Sequence, residues 1–394
     1  MSETLNHALN QRLDALRNAN LLRTQRVQSH DPQKILCSND YLGIAGERLS
    51  EDELRALADE ALAKGSGGSR LISGTHPVHA ALEADIAAWL GREDAIFYSS
   101  GYQANVGVMS ALAQRGDIIF SDALNHASII DGVRLSGAER VIYPHQDLDA
   151  LEQALAKAPS TGLRIIVTDA VFSMDGDVAK LRGLVELRAR YNAVLVVDEA
   201  HSLGVYGSQG RGLCDALGVG DQVDVIVGPC GKSFGAGGAF VAGSSLLREW
   251  LYNRSRAFVF STAPPPIVAA LNRRALEVLR DGQRQELLWQ RVRRLGELLR
   301  ERGFWEGEPL SPIFPVVVGS EENALSLAAA LDQEGIFVHP VRPPTVPAGT
   351  SRLRVTVSAC TPMDVLERFV EVLDAQCARL SIRPLRWSHG QPEA

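Results

Sequence analysis

Cysteine is scarce in this chain, and the five present, Cys37, Cys214, Cys230, Cys360 and Cys377, are odd in number, scattered and never form a CxxC pair. That argues against a disulfide framework and a zinc knuckle, and no metal site is expected. Positive charge is not in excess either, since 40 Lys and Arg against 47 Asp and Glu leave a net charge of −7. An acidic surface of mixed sign has no general attraction for phosphate backbones or anionic membranes, so nucleic acid is disfavoured as a partner. Long apolar runs are missing as well. The opening MSETLNHALNQRLDALRNANLLRTQR alternates polar and apolar positions at helical spacing without the apolar stretch of a signal peptide, and no run elsewhere reaches membrane-spanning length. A cytoplasmic protein with no membrane partner is expected. There is no internal repeat and no low-complexity tract.

What is present is an ordinary globular composition, 45% hydrophobic and 22% charged over 394 residues. At that length one large domain with a smaller one appended is expected, because a single core stops growing near roughly 250–300 residues. From Ala95 to about Gly243 short β-branched runs recur (AIFY, DIIF, RIIVTD, AVLVVD, VDVIVG, GAFVAG), separated by stretches of helical periodicity such as DLDALEQALAKA and KLRGLVELRARY. This pattern predicts an α/β fold, a mostly parallel central sheet flanked by helices. Pro264, Pro265 and Pro266 break it, and a long helical stretch from about Ile267 to Arg302 leads to FPVVVG, ALSLAAALDQEGIFVHPVR, RLRVTVSAC and the helix MDVLERFVEVLDAQCARL, a smaller α+β unit. The expected divisions are an N-terminal helical segment 1–44, a large α/β domain 45–280, a small C-terminal domain 281–382 and a fraying tail 383–394.

Ligands of open α/β sheets bind at the carboxyl ends of the strands, and four features sit there. AIFYSSGYQAN is a strand, a small-residue turn and a helix start, whose unpaired N–H groups favour an anion such as phosphate; alone this is a common junction. AVLVVDEAHSLG delivers Asp198 and, three residues on, His201. A carboxylate ending a buried strand is costly without a cation or several donors, whether in a structural ion pair or at a ligand. VDVIVGPCGKSFGAGGAF holds Lys232 in a Gly-rich turn. Its GKS resembles the end of a phosphate-binding P-loop, and DEAH resembles a helicase-type ATPase segment. However, the glycine that a P-loop needs is replaced by Ile226, and the order of the two motifs is reversed. A lysine among small uncharged neighbours is instead disfavoured as an ammonium, and the neutral amine is a nucleophile for a carbonyl carbon. An amine for an aldehyde, a carboxylate for a ring nitrogen and a helix start for a phosphate together meet the needs of pyridoxal 5′-phosphate (PLP). The fourth feature, DALNHASIIDG, places His126 after a strand end, either as a plain loop residue or as a ring lying over an aromatic cofactor.

With SNDYLG, GSGGSRLISGTHPVHAALE, VFSMDGD, VDEAHSLGVYGSQGRG, FSTAPPP and RPPTVPAGTSRLRVTVSA added, the chain resembles the α-oxoamine synthase family over nearly its full length. These are PLP enzymes of the aspartate-aminotransferase fold (fold type I). The resemblance implies that Lys232 holds PLP covalently, Asp198 pairs with the ring nitrogen, His201 bonds the phenolic oxygen, His126 stacks on the ring and Ser173 holds it from beside. It further implies that Gly101 and Tyr102 form the phosphate-side turn, and that Ser261 and Thr262 serve the phosphate site of a neighbouring subunit in a homodimer. Arg342, Thr345, Asn39, His126 and Arg23 match substrate-side positions. The segment RPPTVPAGTSRLR is closest to members that condense L-alanine with a pimeloyl thioester of coenzyme A or acyl carrier protein, and a member that uses glycine, such as a glycine C-acetyltransferase, is the alternative. Lys232, Asp198, His201 and His126 are the expected catalytic residues. One departure stands out: many members carry a threonine three residues before the lysine, whose hydroxyl binds the phosphate, and here that position is Pro229. Proline has neither hydroxyl nor N–H, so the contact is lost or moved, with Ser233 a candidate to supply it.

Overall fold

The computed structural model describes residues 3–25, 27–159, 161–385, 387–388 and 391–392. Two compact units emerge, one of residues 39–173 and 177–288, the other of residues 1–38, 174–176 and 289–394.

The larger unit is built on seven strands: β1 (Asp94–Tyr98), β2 (Ile118–Asp122), β3 (Glu139–Tyr143), β4 (Arg164–Asp169), β5 (Val194–Asp198), β6 (Val225–Pro229) and β7 (Ala239–Gly243), in the order β1-β7-β6-β5-β4-β2-β3. Only β7 runs antiparallel to its neighbours; β6, β5, β4, β2 and β3 are parallel. Strands covered on both faces read as unbroken apolar runs, which is why six of the seven follow from periodicity. The seventh, β3, has the sequence ERVIY and lies at the sheet edge, half exposed, so it presents no such run.

Ile165, Val167, Val196, Val225 and Val241 pack beneath Val108, Met109, Ile129 and Val133 of the helices Gly101–Leu112 and Ala127–Ser136. These helices cross closely at Gly132, where an added Cβ would lie 2.9 Å from the Asn105 carbonyl oxygen. Asn105 is thereby fixed over the ends of the strands. The helical stretch after the prolines is two helices, Pro266–Asp281 and Gln283–Glu301, because Gly282 at φ +76° caps the first in the left-handed region.

The smaller unit holds the antiparallel strands β8 (Ile313–Gly319), β9 (His339–Val341) and β10 (Ser351–Thr356) in the order β8-β10-β9, with helices Glu321–Gln333 and Met363–Leu380. Arg352 of β10 is buried, its guanidinium 2.5 Å from the Asp175 carboxylate. In the tail expected to fray, Leu385 N donates to Val317 O and Trp387–Ser388 pairs with Gln391–Pro392. Residues 386, 389, 390, 393 and 394 of that tail lie outside the described residues. Among the described residues no helix is long and apolar enough to cross a membrane.

Candidate active site

Lys232 lies in the loop between β6 and β7. Cys230 N donates to Gly238 O, Ala236 N to Cys230 O and Gly235 N to Lys232 O, which closes the loop on itself. Gly238 sits at φ +88° with the Phe97 ring where a Cβ would come within 2.4 Å, so the loop depends on glycine there. Lys232 is half-buried, and its Nζ lies 2.9 Å from His201 Nε2.

His201 is buried in the turn after β5, and its Nδ1 lies 2.6 Å from the hydroxyl of the fully buried Tyr41. With the Tyr41 O–H donating to Nδ1, the Nε2–H becomes the donor facing the lysine amine. Asp198 closes β5 and is buried; its Oδ1 accepts from Ala200 N (2.8 Å) and its Oδ2 from Asn105 Nδ2 (2.7 Å). An ionised carboxylate offers about four acceptor sites, so capacity remains for a further N–H. Asp169 ends β4 directly across the register from Asp198. Burial, and then the Asp198 charge, push the Asp169 carboxyl well above the usual range, and its Oδ2 accepts from His126 N at 2.7 Å. Two neighbouring carboxyl groups thus have different environments: Asp198 meets two donors, and Asp169 is held toward the neutral acid.

His126 caps the helix Ala127–Ser136, its Nδ1 2.7 Å from Ser128 Oγ, and Ser128 in turn accepts from Asn105 Nδ2 at 2.9 Å. Part of the imidazole faces solvent, but the surrounding protein lowers its pKa below the usual value; Asp198 opposes this and Lys232 adds to it. Ser173 is half-buried in the segment after β4.

Gly101 and Tyr102 open the helix Gly101–Leu112, capped by Ser100, whose Oγ accepts from Gln103 N. Tyr102 is half exposed, and its hydroxyl bonds the Asp131 carboxylate, which raises the phenol pKa. Pro229 packs its ring on Gly101, where a Cβ would lie 2.7 Å from the proline Cγ. Ser233 is the candidate to replace the lost hydroxyl. It is buried against Gly204, at which a Cβ would lie 2.7 Å from the serine Cβ, and its Oγ has no partner. Ser261 and Thr262, matched by resemblance to a neighbouring subunit's phosphate site, lie in this chain beside its own helix start. Gln103 Nε2 is 3.4 Å from Ser261 Oγ, and Ser99 Oγ is 3.4 Å from Thr262 O.

Within the smaller unit, three predicted substrate residues come together. Arg23 donates to Thr345 Oγ1 at 3.0 Å, Thr345 N donates to Arg342 O, and Arg342 Nη1 donates to Asn20 O. Burial, followed by the nearby Arg342, Arg23 and Arg354, lowers the pKa of His339, which marks a locally positive region suited to an anion. Asn39 belongs to the larger unit, beside Tyr41, whose hydroxyl lies 3.4 Å from Asn39 Oδ1.

Among the described residues no group of three or more His, Cys, Asp or Glu is placed to hold a metal ion. The donor set suits PLP: an amine at 2.9 Å from an imidazole, a buried carboxylate with unused acceptor sites, and a helix start reached by glycine backbone. Sequence reasoning overlooked Asn105, Tyr41, Ser128 and Asp169. Asp169 carried the same signal as Asp198, a carboxylate ending an apolar strand. Asn105 and Tyr41 stood within SSGYQAN and SNDYLG, but their partners are 93 and 160 residues away and are set only by the fold.

A family described as aminotransferase class I and II matches residues 32–373. An 8-amino-7-oxononanoate synthase of Trichlorobacter lovleyi is 45% identical, covering 93% of this chain and 96% of its own. One from Anaeromyxobacter dehalogenans (strain 2CP-1) is 50% identical over 86% of this chain and 85% of its own. Among solved structures, the serine palmitoyltransferase of Sphingomonas wittichii superposes with a TM-score of 0.87 at 30% identity, covering 97% of this chain and 99% of that one. A serine palmitoyltransferase structure that holds PLP gives a TM-score of 0.87 at 29% identity, with 95% and 98% covered. The chain therefore belongs to the aminotransferase class I and II family, alongside the 8-amino-7-oxononanoate synthases, and is a PLP-dependent enzyme.

Proposed function

We propose that this enzyme, a C-acyltransferase, condenses L-alanine with a pimeloyl thioester of coenzyme A or acyl carrier protein. The reaction releases carbon dioxide and the free thiol and yields 8-amino-7-oxononanoate, a step in biotin formation. The similarity to synthases of that name along almost their whole length supports the reaction. The single geometric observation behind the chemistry is the Lys232 amine 2.9 Å from His201 Nε2, beside the buried Asp198.

PLP, when bound, supplies a pyridinium ring able to accept the electron pair released at the substrate α-carbon. In this assignment Lys232 would hold the cofactor, and its Nζ would take the α-proton of alanine and later return a proton to the product. Asp198, its carboxylate held in place by Asn105 and Ala200 N, would keep the proton on the ring nitrogen. His201, held at Nδ1 by the Tyr41 hydroxyl, would donate from Nε2 to the phenolic oxygen. His126 and Ser173 would hold the cofactor ring, and the N–H groups at Gly101 and Tyr102 would hold its phosphate. Arg342, with Arg23 and Thr345, grips a substrate carboxylate, for which a planar guanidinium is well matched, and Asn39 adds a polar contact.

A homodimer is part of the proposal. Exposed Leu71, Ile72 and Phe260 lie on two segments tied by the Ser69–Thr262 bridge and by Ala263 N donating to Gly68 O, a contiguous apolar patch suited to a second copy. Sedimentation should give twice the chain mass. The reaction itself is tested by titrating the purified enzyme with L-alanine and then pimeloyl thioester. Alanine-dependent thiol release with formation of 8-amino-7-oxononanoate is expected, and a preference for glycine or serine would overturn the substrate assignment.

The proline at 229 has its own expected outcome. It removes a hydroxyl from the flank of the helix start, and a restored hydrogen bond to a charged phosphate is worth about 1.5–3 kcal/mol. Pro229→Thr should therefore tighten PLP binding by roughly tenfold or more in a cofactor titration, and leave binding of phosphate-free pyridoxal unchanged.

A further inference from the structure

We infer that His145 is a positioning residue whose ring, clasped between the buried carboxylates of Asp122 and Asp177, ties together the turns that carry His126 and Ser173. This rests on the PLP reading above. His145 follows β3, a strand the mechanism does not use, and no functional motif pointed to it.

Its Nδ1 lies 2.9 Å from Asp122 Oδ1 and its Nε2 2.7 Å from Asp177 Oδ2. Both aspartate side chains are only 2% exposed. Each aspartate is also bound into a turn of the site, Asp122 through its carboxylate and Asp177 through its backbone. Asp122 ends β2 and accepts from Leu124 N at 2.8 Å, which shapes the turn leading to His126. Asp177 receives a hydrogen bond from Phe172 N on its own carbonyl, which closes the segment holding Ser173. The imidazole stands edge-on to Phe172, ring centres 4.3 Å apart at 86°. Gln146 reinforces the clasp, its N donating to Asp122 Oδ2 and its side-chain amide to Asp177. Two residues meant to flank the cofactor ring are thus referenced to one imidazole with a carboxylate on each nitrogen.

Two carboxylates around one ring make sense when the ring is an imidazolium, since both nitrogens then donate. Burial alone would lower its pKa, but the hydrogen bonds it donates to Asp122 and Asp177 outweigh this and push it up to about 9. Other titratable groups close by are Tyr143, raised by burial and then by Asp122; Asp169, also influenced by Asp122; and Lys180, whose Nζ donates to Gln146 O. A histidine raised above its ordinary 6.5 contributes stabilisation that is complete below that value and lost as pH rises through about 9. Deprotonation leaves one ring nitrogen as an acceptor facing a carboxylate, which loosens one turn from the other.

The test compares the wild-type enzyme with His145→Gln and Asp177→Asn as holoenzymes, reading PLP affinity and visible circular dichroism between pH 6.5 and 10, with far-ultraviolet dichroism as the folding control. His145→Gln should weaken PLP roughly tenfold to a hundredfold, as expected for turns displaced from a pre-set geometry. It should also lack the loss of affinity that the wild type shows near pH 9. Asp177→Asn should move that step down by at least about one pH unit. The variants differ from the wild type only within the clasp, so the difference between them isolates it. Wild-type affinity and dichroism in His145→Gln, or an unmoved step in Asp177→Asn, would overturn the inference while leaving the PLP reading intact. Should His145→Gln not fold, the Asp177→Asn step decides alone. A wild type that takes up no PLP would instead overturn the functional reading, and this inference with it.

Discussion

Lys232→Ala is expected to lose at least about 10⁴-fold in turnover, because one nitrogen both holds the cofactor and moves the α-proton, and a positioned general base alone contributes about 10²–10⁴-fold. The loss should be chemical rather than structural. Lys232 is half-buried in a loop closed by backbone hydrogen bonds of Cys230, Gly235, Ala236 and Gly238, none of which uses its side chain. The variant should therefore keep its far-ultraviolet dichroism and thermal midpoint. PLP should bind reversibly, and borohydride should fix none of it to the protein. Turnover within a factor of ten of the wild type would remove Lys232 from the mechanism.

The second large effect is at Asp198. A carboxylate facing a protonated ring nitrogen at about 4 Å, at an effective dielectric near 20, is worth about 4 kcal/mol, which converts to roughly a thousandfold in rate. Asp198→Asn keeps the shape and can still accept from Ala200 N, but it no longer holds the ring proton. A fall in kcat of about that size is expected, with cofactor still attached to Lys232 and its visible absorbance altered. Asn105→Ala, which removes a 2.7 Å hydrogen bond to Asp198, should move kcat in the same direction by less. If Asp198→Asn left kcat unchanged, the electron-sink role would have to lie elsewhere.

Much of this was legible in the residues themselves, for a physical reason. A parallel sheet buried on both faces writes its strands as apolar runs, and costly groups at the ends of those runs, such as Asp198, stand out against them. Lys232 was visible because its neighbours are small and uncharged. What stayed hidden depends on chain segments meeting in space. Tyr41 and Asn105 act on His201 and Asp198 from distant segments, and His145 needs Asp122 from the end of β2 and Asp177 from another loop before its ring has a purpose. The edge strand β3 was hidden because solvent on one side spares it an apolar run. The division of the long helix was missed because apolar periodicity continues across Gly282, and only the backbone angle reveals the break.

The central claim is that one particular amine carries the cofactor, and the composition makes it simple to check, since the chain has only five lysines: 34, 64, 157, 180 and 232. Borohydride reduction of the PLP-loaded enzyme followed by peptide mass mapping should place a phosphopyridoxyl group on the peptide containing Lys232 and on no other. A label on Lys34, Lys64, Lys157 or Lys180, or no label at all on protein saturated with PLP, would contradict the account.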